Sequence, residues 1–129
     1  MKSYTDLKQS KKLAKILPLE SADMCWFEGE PFVEAVTGYE EERAESHRQA
    51  GMEMYPCWSL AALISILPKE IEIDGQHYAP CLFPVQDKWL LKLWYNSNYT
   101  ITSSIAIFSD NPVDACYEMI IRLNELKLL

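Results

Sequence analysis

The segment "IEIDGQHYAPCLF", residues 71–83, decides the fold class because it carries the pattern of a β-hairpin. Ile71-Glu72-Ile73 alternates apolar and acidic residues, and a second run extends from His77 to Phe83. Between them, Asp74-Gly75 is a strong signal for a two-residue hairpin turn, since both residue types tolerate positive φ. Pro80 and Pro84 lack backbone donors, so we expect this hairpin to lie at an edge of its sheet.

Two further strands are predicted after the hairpin. Residues 88–95 and 99–108 are rich in apolar and β-branched side chains, and the turn-forming Asn96-Ser97-Asn98 separates them. In the last strand, one face carries Tyr99, Ile101, Ile105 and Ile107, and the other carries Thr100, Thr102 and Ser104. This alternation predicts an antiparallel β-meander of about four strands with one side exposed to water.

Two helices are predicted from residues that flank the meander. "NPVDACYEMIIRLNELKLL", residues 111–129, starts with an Asn cap and a Pro at the first helical position. Its apolar stripe contains Cys116, Met119, Ile120, Leu123 and Leu126. "CWSLAALISIL", residues 57–67, has apolar residues on every side, which predicts a central helix of about three turns, mostly buried and ended by Pro68.

The N-terminal part of the chain combines a basic helix with an acidic segment. Residues 5–17 are predicted to form a helix capped by Thr5, so that two or three helices in all pack on one face of the sheet. Residues 20–53 carry ten acidic residues and two Arg, and contain short candidate strands at 24–27 and 32–36. Residues 40–50 could form a helical turn or two, but they have few apolar side chains with which to dock, so we expect an exposed segment there.

Composition predicts a single α+β domain spanning residues 1–129. The chain has 49% hydrophobic and 24% charged residues, which is typical of a folded domain. Its net charge of −7 argues against direct nucleic-acid binding, because neutralising phosphates supplies most of that affinity. It has neither an apolar run of about 20 residues nor a signal-peptide pattern, so we expect no membrane association and a cytoplasmic location.

The cysteines do not form a recognisable metal or redox motif. They lie far apart in the sequence, at Cys25, Cys57, Cys81 and Cys116, which predicts reduced and buried thiols. The four glycines are isolated, so no phosphate-binding loop is expected. We therefore predict no metal site and no cofactor.

Cys57 is the strongest candidate nucleophile, because a helix dipole at the start of the central helix lowers a thiol pKa. A cysteine hydrolase also needs a histidine beside the thiol, and the sequence offers His47 and His77 without a signature that links either to Cys57. Consequently no catalytic residue is assigned and no enzymatic activity is predicted.

The aromatic and acidic residues allow two further interpretations. Trp26, Trp58, Trp89 and Trp94 are expected to fill space between helices and sheet, rather than to line a pocket. The carboxylates of residues 28–45 are expected to form a solvated surface, since a glycosidase-like pair would have to be fixed across a cleft.

Three segments resemble a family of short uncharacterised bacterial proteins associated with prophages and other mobile elements. They are "LAKILPLESADM" (residues 13–24), "PCWSLAALISILP" (residues 56–68) and the C-terminal segment 111–129. The resemblance covers both ends of the chain and implies no activity and no catalytic residue.

The leading functional hypothesis is a non-catalytic accessory protein that binds an unidentified protein partner. One alternative is an acidic inhibitor that presents the carboxylates of residues 28–45 to a nucleic-acid-binding protein. Another is a small thiol enzyme or ligand-binding domain that uses Cys57. The sequence does not decide whether the protein forms a homo-oligomer.

Overall fold

The structure is a computed structural model that describes residues 1–29, 32–95 and 105–129. Within these residues the chain has four α-helices, one short 3-10 helix and seven strands in two antiparallel sheets. The predicted α+β class with a four-stranded meander is confirmed. Contacts divide the chain into two compact units, residues 3–62 and residues 1–2 with 63–129.

The unit of residues 3–62 contains a three-stranded sheet. Its elements are α1 (Leu7–Leu13), a 3-10 turn (Leu19–Ser21), β1 (Met24–Gly29), β2 (Phe32–Thr37), α2 (Glu41–Gln49) and β3 (Glu53–Cys57). The strand order is β2-β1-β3, and α1 and α2 both contact β3. The strands predicted near residues 24 and 32 are confirmed, whereas β3 was not predicted.

The cap of α1 differs from the prediction by one residue. Asp6 Oδ1 accepts from the backbone N of Gln9 at 2.8 Å, and Gln9 Oε1 accepts from the backbone N of Asp6 at 3.1 Å. This capping box satisfies two helix-terminal donors at once. Thr5 is buried and is not the cap, and α1 ends at Leu13 rather than at residue 17.

Residues 41–49 form a largely exposed helix, as the sequence allowed, but the helix docks through one residue that was not expected to do so. Ala44 of α2 is fully buried with Cys25 and Met54, and Phe27 and Tyr39 pack against this cluster. One small side chain is enough to dock α2, because an alanine lets the helix backbone approach the sheet closely. Counting apolar residues therefore missed the contact.

The second unit contains the predicted meander. Its strands are β4 (Ile71–Ile73), β5 (Gln76–Val85), β6 (Lys88–Tyr95) and β7 (Ala106–Ser109), in the order β4-β5-β6-β7. Asp74 and Gly75 both have positive φ, as the predicted turn requires. The predicted turn at residues 96–98 and the first part of the predicted last strand lie outside the described residues.

The C-terminal helix α4 (Pro112–Glu125) packs against β6 and β7. Asn111 Oδ1 caps it by accepting from the backbone N of Asp114 at 2.8 Å, and Pro112 opens the first turn as predicted. Its buried side chains include Cys116, Met119, Ile120 and Leu123. Leu126 is 49% exposed and leaves the predicted stripe, because the helix ends at Glu125.

The predicted central helix is shorter and more exposed than expected. The helix α3 spans Leu60–Ile66, and its N-terminus is capped where Ser59 Oγ accepts from the backbone N of Ala62 at 3.2 Å. Only Leu63 in α3 is buried, whereas Ile64 is 48% exposed. The uncharged stretch instead divides between β3 and a helix of two turns.

Within the described residues, no helix is both long and apolar enough to span a bilayer.

Candidate functional site

Cys57 lies at the end of β3 in a buried, hydrogen-bonded environment. Its side chain is fully buried, and its Sγ lies 3.4 Å from the carbonyl oxygen of Thr5 and 3.5 Å from Thr5 Oγ1. Burial raises the pKa of the thiol, and hydrogen bonds from Thr5 and Ser10 only partly oppose this effect. The structure therefore holds Cys57 as a protonated thiol rather than as an activated thiolate.

The two histidines contact groups other than cysteine sulfurs. His47 Nδ1 lies 2.6 Å from the carbonyl oxygen of Arg43, and its ring centroid is 4.8 Å from that of Phe27. His77 Nδ1 lies 2.8 Å from Glu70 Oε1 on an exposed surface. Among the contacts of the described residues, none joins a histidine ring to Cys57. That the protein has no enzymatic activity stays a prediction.

All four cysteines are free, and Cys81 is more accessible than the other three, which are buried. In the described part of the chain, no three His, Cys, Asp or Glu side chains gather in a group that would hold a metal ion.

The acidic side chains of α2 are tied together by Arg48. Its Nη1 lies 2.7 Å from Glu45 Oε2, its Nη2 lies 3.1 Å from Glu41 Oε1, and its Nε lies 3.8 Å from Glu53 Oε2. Tyr39 Oη donates to Glu41 Oε2 at 2.7 Å. Partial burial raises the pKa of Tyr39, and this hydrogen bond raises it further, to about 12. Thus Arg48 neutralises part of the predicted carboxylate surface. The side chains of residues 28–37, which belong to the same predicted surface, lie outside the described part of the structure.

Two tryptophans have the structural role that was predicted. Trp58 is fully buried, and its Nε1 donates to Ser21 Oγ at 2.9 Å. Trp26 Nε1 donates to the carbonyl oxygen of Thr5 at 3.0 Å. Buried indoles usually find such acceptors, so both residues are explained by packing.

A different group of side chains lies on the face of the meander that α4 leaves uncovered. Because α4 packs on β7, it must cover the face that carries Ile105, which is 6% exposed, rather than that of Phe108, which is 63% exposed. Directly paired residues of an antiparallel sheet share a face. The pairs that lie on the Phe108 side are Leu90↔Phe108, Phe83↔Leu90, Cys81↔Lys92 and Ala79↔Trp94. We call Phe83, Leu90, Lys92, Trp94 and Phe108 the aromatic face.

Lys92 is the unusual member of the aromatic face. Its side chain is only 7% exposed, and its Nζ lies 4.7 Å from the ring centroid of Trp94 and 5.4 Å from that of Phe83. Lysine is rarely this buried unless it is paired with an acid. Among the described residues, Lys92 makes no ion pair with a carboxylate. Contacts between a cation and aromatic rings contribute only about 0.5–2 kcal/mol, so they compensate its burial in part.

Sequence reasoning missed the aromatic face, although one signal for it was present. Lys92 interrupts the apolar run "WLLKLW", residues 89–94, at the position that alternates with Leu90 and Trp94. A lone lysine at such a position predicts that its face of the strand differs from a simple core. The expectation that Trp94 only fills space was therefore incomplete, since Trp94 is half-buried and holds a cation.

The opposite face of the meander borders an open groove of about 510 Å³. Its walls are mainly apolar and include Leu67, Pro80 and Leu82, while Lys69 at its border is exposed. No buried charge in the groove selects an occupant, so the aromatic face is the better candidate site.

Comparison of the chain with family models, curated proteins and solved structures gave no match. The resemblance to proteins of prophages thus stays a prediction, and residue roles are argued from the geometry of this chain alone.

Proposed function

We propose that this protein is a non-catalytic accessory protein that binds another protein through its aromatic face. The observation that carries the proposal is the 63% exposure of Phe108 on the same sheet face as the half-buried rings of Phe83 and Trp94. Aromatic residues are enriched in the cores of protein interfaces, where they dominate the binding energy. Grouped apolar side chains on a surface often mark such sites.

The dimensions of the face favour a protein segment over a small molecule. Phe83, Leu90 and Phe108 lie on three adjacent strands, which spread over about 10 Å at the usual strand spacing. Leu90 and Trp94 lie about 14 Å apart along β6, at about 3.4 Å per residue. A shallow surface of this size is typical of contact with a peptide segment or a protein.

The competing hypotheses receive less support. Cys57 is fully buried with a raised pKa, which opposes a role as nucleophile. Arg48 pairs with Glu41 and Glu45, which reduces the negative surface that an acidic inhibitor would present. An accessory role in the cytoplasm also agrees with four free thiols, which a reducing compartment maintains. The resemblance to mobile-element proteins is consistent with it as well.

A capture experiment with matched variants tests the proposal. The wild type, Phe108→Ala and Leu126→Ala are used as baits in a bacterial lysate, because Leu126 is also exposed but lies outside the aromatic face. We expect at least one protein to be lost with Phe108→Ala and retained with Leu126→Ala. With the purified partner, Phe108→Ala should raise Kd about 30-fold, which corresponds to a hot spot of about 2 kcal/mol. Equal capture by all three baits would contradict the proposal.

A further inference from the structure

We infer that the partner presents a carboxylate, flanked by apolar side chains, to Lys92 at the centre of the aromatic face. This inference rests on the proposed function and adds the chemistry of the partner. It follows from the burial of Lys92, the accessibility of its Nζ and the charges around it.

The burial of Lys92 leaves its ammonium short of acceptors. Its described contacts are with the rings of Phe83 and Trp94, which face the charge but accept no conventional hydrogen bond. A partner that covers the face would also remove the remaining water from Nζ. Because a buried unpaired charge is costly, a stable complex requires the partner to supply an anionic acceptor.

The ammonium of Lys92 is not fully enclosed, although its side chain is only 7% exposed. Among the described residues, Arg43 Nε is the buried side-chain nitrogen that lacks a hydrogen-bond partner. Lys92 Nζ also makes no hydrogen bond to a described residue. Unlike Arg43 Nε, however, it retains some solvent-accessible surface. The partner's carboxylate must therefore lie against this remaining accessible surface of Nζ.

Among the residues that the structure describes on this strand face, Lys92 is the cation without an ion pair. Lys88 lies on the same face of β6, four residues away, and forms an ion pair with Asp110. Within the described part of the meander, an incoming acid therefore meets one free ammonium, which contacts two aromatic rings. The rings of Phe83 and Trp94 can pack against apolar side chains next to that acid.

A carboxylate suits this site better than other anionic partners. Nucleic acids and polyphosphates gain affinity from several cations, whereas the face offers one and the chain carries a net charge of −7. A two-fold contact between copies of this chain uses the same patch twice and would bring two Lys92 ammonium groups into one interface. A different protein with an Asp or Glu among apolar residues avoids both problems.

Selection from a random peptide library displayed on phage tests the inference. The immobilised baits are the wild type, Lys92→Met, Lys92→Arg and Phe108→Ala. Met keeps an unbranched, flexible stem of similar length but removes the charge, and Arg keeps the charge. We expect the wild type to enrich peptides in which an Asp or Glu lies between aromatic or aliphatic residues. These peptides should bind Lys92→Met at least tenfold more weakly and should retain most of their affinity for Lys92→Arg.

Synthetic versions of the enriched peptides supply a second test that needs only the wild-type protein. Changing the peptide's acid to the corresponding amide should weaken binding to the wild type at least tenfold. The same change should have little further effect on binding to Lys92→Met, because the two changes remove one interaction. Thermal unfolding of each variant checks that the fold is retained.

The outcomes separate the inference from the proposed function. Peptides without acids that depend on Phe108 but bind Lys92→Met normally would overturn the inference and leave the proposed function standing. They would also show that the stem of Lys92 merely covers apolar surface, as lysine stems often do. If no enriched peptide depends on Phe108 or Lys92, the proposed function itself fails.

Discussion

Replacing Thr5 with Val should destabilise the protein far more than replacing it with Ser. Thr5 is fully buried, and its Oγ1 accepts from the backbone N of Trp58 at 3.1 Å. The same oxygen lies 2.8 Å from Ser10 Oγ and 3.5 Å from Cys57 Sγ. One hydroxyl therefore connects the start of α1 with the end of β3, although the sequence suggested that Thr5 is only a helix cap.

The expected cost follows from the groups that Thr5→Val leaves without partners. Val keeps the shape of Thr but removes Oγ1, so the buried N–H of Trp58 loses its acceptor. A buried unsatisfied donor costs about 1–3 kcal/mol. Ser10 Oγ loses a partner too, although it can turn to the carbonyl of Asp6 one helical turn earlier. We therefore expect Thr5→Val to lower the free energy of unfolding by about 2–4 kcal/mol.

Thr5→Ser is the matched control, since it keeps the hydroxyl and removes one methyl group, at a cost of about 1 kcal/mol. Urea unfolding followed by tryptophan fluorescence measures both variants, and similar m-values would show that the change is in stability. Our reasoning would be refuted if Thr5→Val were as stable as Thr5→Ser. That result would mean that water satisfies the N–H of Trp58 even though Thr5 and Trp58 are both fully buried.

Three further predictions concern other parts of the chain. Iodoacetamide should label Cys81 in the native protein well before Cys57, whose thiol is buried and has a raised pKa. Mass spectrometry of timed samples measures the order of labelling, and labelling of Cys57 first would contradict the prediction. Asn111→Ala should cost about 1 kcal/mol in urea unfolding through loss of the α4 cap, and Asn111→Ser, whose hydroxyl also caps a helix, should restore most of it. The pKa of Tyr39 is raised from 10.0 to about 12, so its contribution to stability is complete below pH 10 and is lost as the pH rises toward 12. Tyr39→Phe should flatten that loss in alkaline unfolding curves, and an unchanged curve would contradict the assignment.

Features that local chemistry determines were predictable from the sequence. Asp74-Gly75 specifies a turn because its two residues tolerate positive φ, and the structure shows φ of 51° and 78° there. Asn111 and Pro112 likewise specify the start of α4 within a few residues of chain. In both cases the interactions that fix the structure lie within one turn of the backbone.

Features that depend on distant pairing were not predictable. Pro56 suits the first turn of a helix as well as an edge strand, and the sequence favoured the helix. In the structure it lies in β3, opposite Cys25 of β1, and β3 is at the edge of its sheet. Only the partner strand, more than 25 residues earlier, decides between the two states. The aromatic face depends on distant residues in the same way, because Phe83, Lys92 and Phe108 meet only through the register of three strands.

The edge of β5 gives an independent reason for a partner to use the face of the meander. β4 pairs with β5 only as far as Tyr78, so within the described residues Ala79–Val85 has a strand neighbour only on the β6 side. Val85 and Lys88 flank a two-residue turn, which makes them a hydrogen-bonded pair. Alternate residues of β5 then direct their backbone groups to β6 or to the open edge.

In this register, positions 80, 82 and 84 face the open edge, and two of the three are proline. Pro80 and Pro84 have no N–H to offer, so Leu82 keeps the outward amide donor between them. An added strand would find too few donors along this edge, which is how natural sheets block pairing with other chains. The residues that first marked the hairpin as an edge therefore also make strand addition there unfavourable. A partner of the meander gains more by covering Phe83, Trp94 and Phe108 on its face.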